Sequence, residues 1–357
     1  MKFYKMIILI ILFVGCQKSK VQSIKITKES FLDIKKLKGE QIEIKGLLDP
    51  FRYHLIRDTL VIVENNQTDD NYFELFNIKT KQKILEFGQR GKGPNELLSA
   101  QLLNNSSDSK NNNSQLFVYD VVKRRLSEYN IDSLMRNGSQ KKIKTMDFPS
   151  SVKSFTYMEN NKFICYNSFF LESADFYNDT EEVFFYSEKD NLSGPDISNC
   201  KFFVSNVTGA NILYSAEHNK ILVANTHLNK LDFYGKDLEL KKSIIGPETA
   251  KPEYTFLEKS KMVKFKRGRS FYSYGSGVVS NNSIYIIYTG AISYRFDRPN
   301  TLPQVEVFKL DWNGNLIKRF VLDKFIFTIS LSNDEKYLYG TSINNKGEII
   351  LIKYNLI

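Results

Sequence analysis
The chain has 357 residues, 42% of them apolar and 25% charged, which is the composition of a globular protein with a large core and not that of a disordered one. Its 50 basic residues against 40 acidic give a net charge of +10, spread over a solvated surface or turned toward an anionic partner. Three cysteines are too few for a disulfide framework.

The first fifteen residues have a short basic start at Lys2 and Lys5 and an apolar run from Met6 to Val14. Nine apolar residues fall short of the roughly 20 needed to cross a bilayer, so this segment reads as an export signal. It ends Leu12-Phe13-Val14-Gly15-Cys16, which resembles the lipobox of bacterial lipoproteins, with Phe13 in place of the usual leucine. The resemblance implies that Cys16 becomes the first mature residue and carries lipid, palmitate included, so that the chain is held to a membrane it does not enter. Residues 16–40 are polar and rich in Lys and Ser, as expected of a tether. Ile42 and Ile44 then alternate with polar neighbours and predict a strand over 41–47.

From Tyr53 onward one pattern returns. Leu60-Val-Ile-Val63 is followed by Leu116-Phe-Val-Tyr119, Phe163-Ile-Cys-Tyr166, Ile221-Leu-Val-Ala224, Ile284-Tyr-Ile-Ile287 and Tyr337-Leu-Tyr-Gly340, each behind a polar turn and an earlier apolar run. These runs start at 60, 116, 163, 221, 284 and 337, so the spacings are 56, 47, 58, 63 and 53 residues. Around each lie further short β-branched or aromatic runs, with Asn313-Gly314 giving the strongest hairpin signal through a type I′ turn. Four strands per repeat, none able to bury both faces alone, point to the blades of a β-propeller. The sixth unit lacks a fourth strand, and 41–47 is surplus. The expected fold is therefore an all-β, six-bladed propeller over 41–357 with four antiparallel strands per blade, closed by the 41–47 strand on Ile349 to Tyr354.

The stretch Phe87-Gly-Gln-Arg-Gly-Lys-Gly-Pro-Asn-Glu96, joining the first unit to the second, narrows this further. With the lipobox and six blades it resembles the six-bladed, TolB-like propeller lipoproteins of Bacteroidetes. That resemblance implies an architecture and a cell-envelope address, not an activity. The absence of acidic residues in Gln17-Lys18-Ser19-Lys20 favours an outer-membrane position facing the periplasm.

Several candidate sites can be weighed on chemistry alone. The glycine loop does not match a phosphate-cradling loop, since Lys92 is followed by Gly93-Pro94 and not by Ser or Thr opening a helix. Its glycines suit tight turns, while Arg90 and Lys92 are candidates to face a ligand at the propeller mouth. A second basic cluster, Lys259, Lys261, Lys264, Lys266, Arg267 and Arg269, is followed by Phe271, Tyr272 and Tyr274 within the long connection 246–273. Lys264, Lys266, Arg267, Arg269 and Tyr272 are candidates to bind an acidic glycan or a protein, or the segment is a solvated loop or amphipathic helix. An exported protein has little occasion to meet nucleic acid. His54, His218 and His227 are too scattered for a histidine-based zinc site, and no Gly-x-Ser-x-Gly motif exists. Asp311-x-Asn313-x-Asn315 lacks the glycine of a calcium loop. No catalytic residue, metal site or cofactor is assigned. Cys165 and Cys200, placed on the second and fourth strands of one blade, would lie too far apart for a disulfide and are expected as free, buried thiols. Most of the 47 Phe and Tyr residues are expected to fill the wedges between blades.

These readings converge on a lipid-anchored binding or scaffold module that recognises an envelope protein, peptide or glycan through loops at one mouth of the ring. The alternative is a metal-dependent enzyme of the NHL or gluconolactonase-like kind, with carboxylates converging in the central channel.

Overall fold
The computed structural model describes residues 21–44, 46–47, 50–65, 70–103, 115–137, 144–147, 154–158, 162–170, 180–187, 202–203, 209–248, 253–257, 262–266, 270–292 and 298–357. Their strands form six sheets. Blade 1 holds Pro50–Arg57, Leu60–Asn65, Asn71–Asn77 and Gln82–Gln89. Blade 2 holds Ala100–Leu102, Gln115–Asp120, Arg125–Asn130 and Lys144–Asp147, with one helix, Ile131–Asn137, between the last two. Blade 4 holds Ala210–Ser215, Lys220–Asn225, Lys230–Gly235 and Leu240–Ile245. Blade 5 holds Phe271–Val279, Ser283–Ile292, Glu306–Asp311 and Leu316–Leu322. Blade 6 takes Ile326–Leu331, Tyr337–Ile343 and Ile349–Asn355 from the C-terminus and its fourth strand, Glu40–Ile42, from the N-terminus.

That fourth strand closes the ring. It pairs antiparallel with the last strand, Ile42 opposite Leu351 and Glu40 opposite Lys353. The closing element is thus the expected one, three residues long where 41–47 was predicted.

The repeated apolar run is the second strand of each blade. It has sheet neighbours on both sides and a neighbouring blade on both faces, so it shows a continuous apolar run where a half-exposed strand would alternate. Val61, Ile62 and Val63, and equally Ile221, Leu222, Val223 and Ala224, are fully buried. Six separate apolar clusters fill the six junctions between blades, from Phe117, Tyr119, Phe163 and Cys165 between blades 2 and 3 to Tyr53, Val61, Phe76, Tyr339 and Leu351 between blades 6 and 1. Aromatic rings fill these wedges as expected. Phe308 stacks on Tyr288 at 4.9 Å, and Phe117 on Tyr157 at 4.5 Å.

Cys165 is buried and unbonded, and burial pushes its thiol well above the ordinary range. Cys200 lies outside the described residues, as does Cys16.

Four details depart from the sequence reading. First, residues 22–37 are not a free tether. Gln22–Lys25 adds a fifth, parallel strand to the outer edge of blade 4, and Ile34–Leu37 does the same for blade 5. Between them Phe31 is inserted against Phe308 at 4.6 Å, and Ile26 and Leu37 are buried. An outermost strand has one face half in solvent and one edge unpaired, so its polar, Lys-rich sequence resembles linker. Second, blade 3 is irregular. Ser154–Tyr157, Lys162–Phe170 and Thr180–Ser187 form its first three strands, but Phe202–Phe203 pairs with the end of the second strand and not with the third. The nine-residue second strand outruns its four-residue neighbour and leaves edge groups there to be paired. Third, the long connection 246–273 has strands and short irregular stretches, and no helix, among its described residues. Tyr254–Leu257 and Met262–Phe265 form a hairpin that joins blade 3 beside Phe203. Fourth, the Asn313-Gly314 hairpin is not type I′. Only Gly314 has a positive φ, +70°, and the Asp311 carboxylate accepts from the amides of Asn313 and Asn315 at 2.8 and 2.9 Å, which is a three-residue loop.

Phe31→Ala should lower the unfolding free energy by about 3 to 5 kcal/mol, the usual cost of emptying a buried aromatic site. Urea denaturation followed by Trp312 fluorescence measures it, and a neutral result would mean that this segment is a tether after all.

Candidate functional site
The first strand of every blade lies innermost, and those of blades 3, 4, 5, 6 and 1 pack against one another in that order around the ring axis. Each pairs with its own second strand on one side and presents a bare row of backbone groups on the other. Side chains from neighbouring blades satisfy several of these. Tyr53 N donates to Thr341 Oγ1 at 3.0 Å, Leu55 N to Ser330 Oγ at 3.2 Å, Ile329 N to Ser276 Oγ at 3.3 Å and Ala210 N to Ser154 Oγ at 3.4 Å. Between blades 1 and 2 the acceptor is a carboxylate. Leu102 N donates to Glu64 Oε1 at 2.6 Å.

The inner strands do not converge on the axis, and the space they leave there is a cavity of about 430 Å³ lined from all six blades. That is the size of a small-ligand cleft. Gln101, Ser154, Thr156, Asn211, Ser276 and Thr328 give it a polar wall, Phe155 and Phe327 add rings, and Arg52 and His54 are its ionisable lining residues. Arg52 and His54 sit two apart on one strand, so both project to one side. Behind them, Glu64 stands directly opposite Arg52 in the ladder. Its Oε2 lies 3.4 Å from the Arg52 guanidinium, and its Oε1 lies 3.1 Å from His54 Nε2.

Burial works to raise the Glu64 carboxyl. Attraction to His54, the His54 hydrogen bond, the Arg52 charge and the Leu102 amide more than offset it, so the group stays below its ordinary value. Glu64 therefore holds a charge in place and has no proton to give. Arg52 is 31% exposed and commits one guanidinium nitrogen to Glu64, which leaves further donors of its five-donor fork for a ligand in the channel. Among the described residues no group of three or more His, Cys, Asp or Glu side chains could hold a metal ion.

Those of the residues singled out by the sequence that are described lie elsewhere. Arg90 is a structural clamp. Its guanidinium lies 3.6 Å from the centre of the Tyr72 ring and donates to the Asn65 carbonyl at 2.6 Å. Lys92 is exposed on the same turn. Within that turn the Glu96 carboxylate accepts from Gly93 N at 2.7 Å, and Lys123 Nζ donates to the carbonyls of Gly93 and Glu96 at 2.7 and 2.8 Å. Gly91 adopts φ +150°, and a Cβ there would stand 2.0 Å from Glu96 Oε2. The Gly-x-Gly-Pro-x-Glu turn is thus a carboxylate folded over two glycines, and its role is to pass the chain from blade 1 to blade 2.

In the second basic cluster, Lys266 pairs with Glu253 at 3.2 Å at the open end of the hairpin. Lys264 is placed on that hairpin opposite Thr255. Arg267 and Arg269 lie outside the described residues. Tyr272 is half-buried, 4.9 Å from the ring of His227. His227 is buried, which lowers its pKa against the effect of its hydrogen bond to the Phe271 carbonyl. His218 Nε2 meets the Asn281 carbonyl at 2.8 Å. Neither Arg90 and Lys92 nor Lys266, Tyr272, His218 and His227 are among the residues that line the channel.

Two predictions follow from this geometry. Gly91→Ala should cost about 1 to 3 kcal/mol through backbone strain and displacement of Glu96, read as a lowered Tm. Since the folded-state pKa of Glu64 is depressed, its contribution is full above the ordinary glutamate value of 4.5 and is lost as pH falls through the folded value. Glu64→Gln should therefore lower Tm near neutrality and flatten the acid limb of Tm against pH; an unchanged limb would mean that other carboxylates control acid unfolding.

Comparison with known proteins agrees with this architecture. A Bacteroides fragilis protein described as exported superposes with a TM-score of 0.51 at 12% identity, covering 94% of this chain and 99% of its own. A member of the DUF4221 family from Bacteroides vulgatus gives 0.50 at 12% identity, over 90% and 96%. Identities this low show the fold alone. Among curated proteins none matches the chain. The family described as TolB-like 6-blade propeller-like matches residues 30–334, most of the chain and all six blades in part or whole, so the protein belongs to the TolB-like six-bladed propeller family.

Proposed function
We propose that this protein is an exported, lipid-anchored binding module of the cell envelope, probing its partner with the mouth of the central channel. The observation that carries this is the channel itself: about 430 Å³, reached by all six blades, with a polar wall, a partly exposed arginine and no carboxylate among the described residues of its lining. Such a wall suits a carboxylate or other anionic group presented by a protein loop, a peptide or a glycan, because Arg52 can bind it through two donors at once. The carboxylate nearby, Glu64, is occupied in holding Arg52, His54 and the Leu102 amide. That arrangement favours recognition over acid–base work.

Export is supported by the basic start and apolar run of residues 1–15, and by the description of the Bacteroides fragilis neighbour as exported. Anchoring is supported by Gly15-Cys16 at the end of that run, and an outer-membrane position facing the periplasm by the absence of acidic residues in 17–20.

Crosslinking in the native envelope, followed by capture and mass spectrometry, tests the proposal. The wild type should recover a reproducible envelope partner, and Arg52→Ala should lose it while keeping its β-sheet circular dichroism, with a Tm lowered by the Glu64 charge it leaves less compensated. A partner held equally by Arg52→Ala would place recognition outside the channel. Labelling with an alkyne-tagged palmitate should mark the wild type and spare Cys16→Ser.

A further inference from the structure
The edge of the ring formed by blades 4 and 5 differs from the rest of the perimeter. Its four outermost strands are Gln22–Lys25 against Leu240–Ile245 and Ile34–Leu37 against Leu316–Leu322. Together they carry seven basic residues, Lys25, Lys35, Lys36, Lys241, Lys242, Lys318 and Arg319, and no acidic one, although Lys241 pairs with Asp237 and Glu239, Lys318 with Asp33 and Arg319 with Glu306 from adjoining segments. The outer strands of blades 1, 2 and 6 are balanced or acidic, with Lys83 and Glu86, Lys144 and Asp147, and Glu40. The same edge holds five of the eleven large apolar residues that stand exposed among the described residues: Val21, Leu32, Ile34, Ile245 and Ile317. Leu32 is 99% exposed, at the bend between the two added strands.

Lysines on an edge strand also block pairing with another sheet, and that alone would account for Lys25 and Lys36. It does not account for apolar side chains left in water beside them. Basic residues interleaved with exposed aliphatic ones match a membrane interface with anionic headgroups, where the cations meet phosphate and the aliphatic groups enter the acyl boundary.

The chain's own anchor brings such a surface within reach. Cys16 precedes Gln22 by six residues, which span at most about 20 Å however they run. Gln22 opens the outermost strand of blade 4, so the lipidated end is confined to the neighbourhood of this edge and not of the opposite one. We propose that the blade 4–5 edge is a membrane-docking surface. The lipid holds the protein by Cys16, and Leu32, Ile34 and Ile317 with Lys25 and Lys36 seat the propeller edge-on against anionic phospholipid. The ring axis then runs along the membrane, and the channel mouth stays open to the aqueous side. This inference rests on the lipid-anchor reading above.

The test uses the mature lipoprotein reconstituted in vesicles of phosphatidylethanolamine and phosphatidylglycerol, some carrying brominated acyl chains. Leu32→Trp places a reporter in the proposed surface. Val122→Trp, 62% exposed on blade 2 across the ring, is the control, and the native Trp312 is buried and serves as background. Docking predicts that the Leu32→Trp signal is quenched several-fold more than that of Val122→Trp, and that adding Lys25→Glu and Lys36→Glu to Leu32→Trp removes the difference while Tm is unchanged. Protein that floats with the vesicles but shows equal quenching at both sites overturns the docking surface and leaves the anchor standing. Protein that fails to float overturns the anchor, and the docking surface with it.

Discussion
A ring of blades turns one edge of every sheet toward its own axis, and those edges must be satisfied without being paired. Six innermost strands each carry backbone donors that face no partner strand. A buried donor left unbonded costs about 1 to 3 kcal/mol, so an axis lined by six bare edges would offset much of the gain from packing the wedges. The protein meets this with short hydroxyl side chains lent by adjacent blades: Thr341 to Tyr53, Ser330 to Leu55, Ser276 to Ile329 and Ser154 to Ala210. The strands so joined surround the axis without filling it, and it remains a cavity. At the junction of blades 1 and 2 the acceptor is Glu64, and its charge requires the cations beside it. The candidate site is therefore a by-product of closing the ring. Where the edge is bridged by a carboxylate and not a hydroxyl, an arginine and a histidine come to stand in the channel.

Away from the axis the demands reverse. The middle of each blade has no polar obligation beyond its ladder, and it can be made of branched aliphatic residues on both faces. Six apolar clusters, one at each junction, then hold neighbouring blades together, with aromatic rings filling the outward widening of each wedge. The turns between strands are set by local polar groups. Asn77, Asp120 and Ser215 each accept a backbone amide within their own turn, and each turn ends four residues on with a positive φ, at Lys81, Arg124 and Asn219.

This division decides what could be read from the sequence. Second strands such as Leu60–Asn65 were legible because burial on both faces erases alternation and leaves an unmistakable apolar run. Closure was legible from counting, since one blade lacked a strand and one strand lacked a blade. The strands Gln22–Lys25 and Ile34–Leu37 were not, because an outermost position selects the same lysines and serines that a linker does. Arg52 and His54 were equally hidden. A polar pair at alternate positions of a strand reads as its solvent face, and only the ring shows that this face is the channel. Arg90 was conspicuous for the wrong reason: glycines around it suggested a ligand, and they are there to let Glu96 fold over the backbone.

The three strands nearest the N-terminus belong to the last three blades. Gln22 pairs with Lys242, 220 positions on, and Ile42 pairs with Leu351, 309 positions on. Such separations make the closing contacts among the slowest to form, since loop closure must precede any gain from them. During synthesis these N-terminal strands thus wait for two thirds of the chain or more before they have a partner. A chain stopped short of blade 6 would keep five blades' worth of apolar wedges with an open seam, so completion of the ring is an all-or-none event that separates finished molecules from truncated ones.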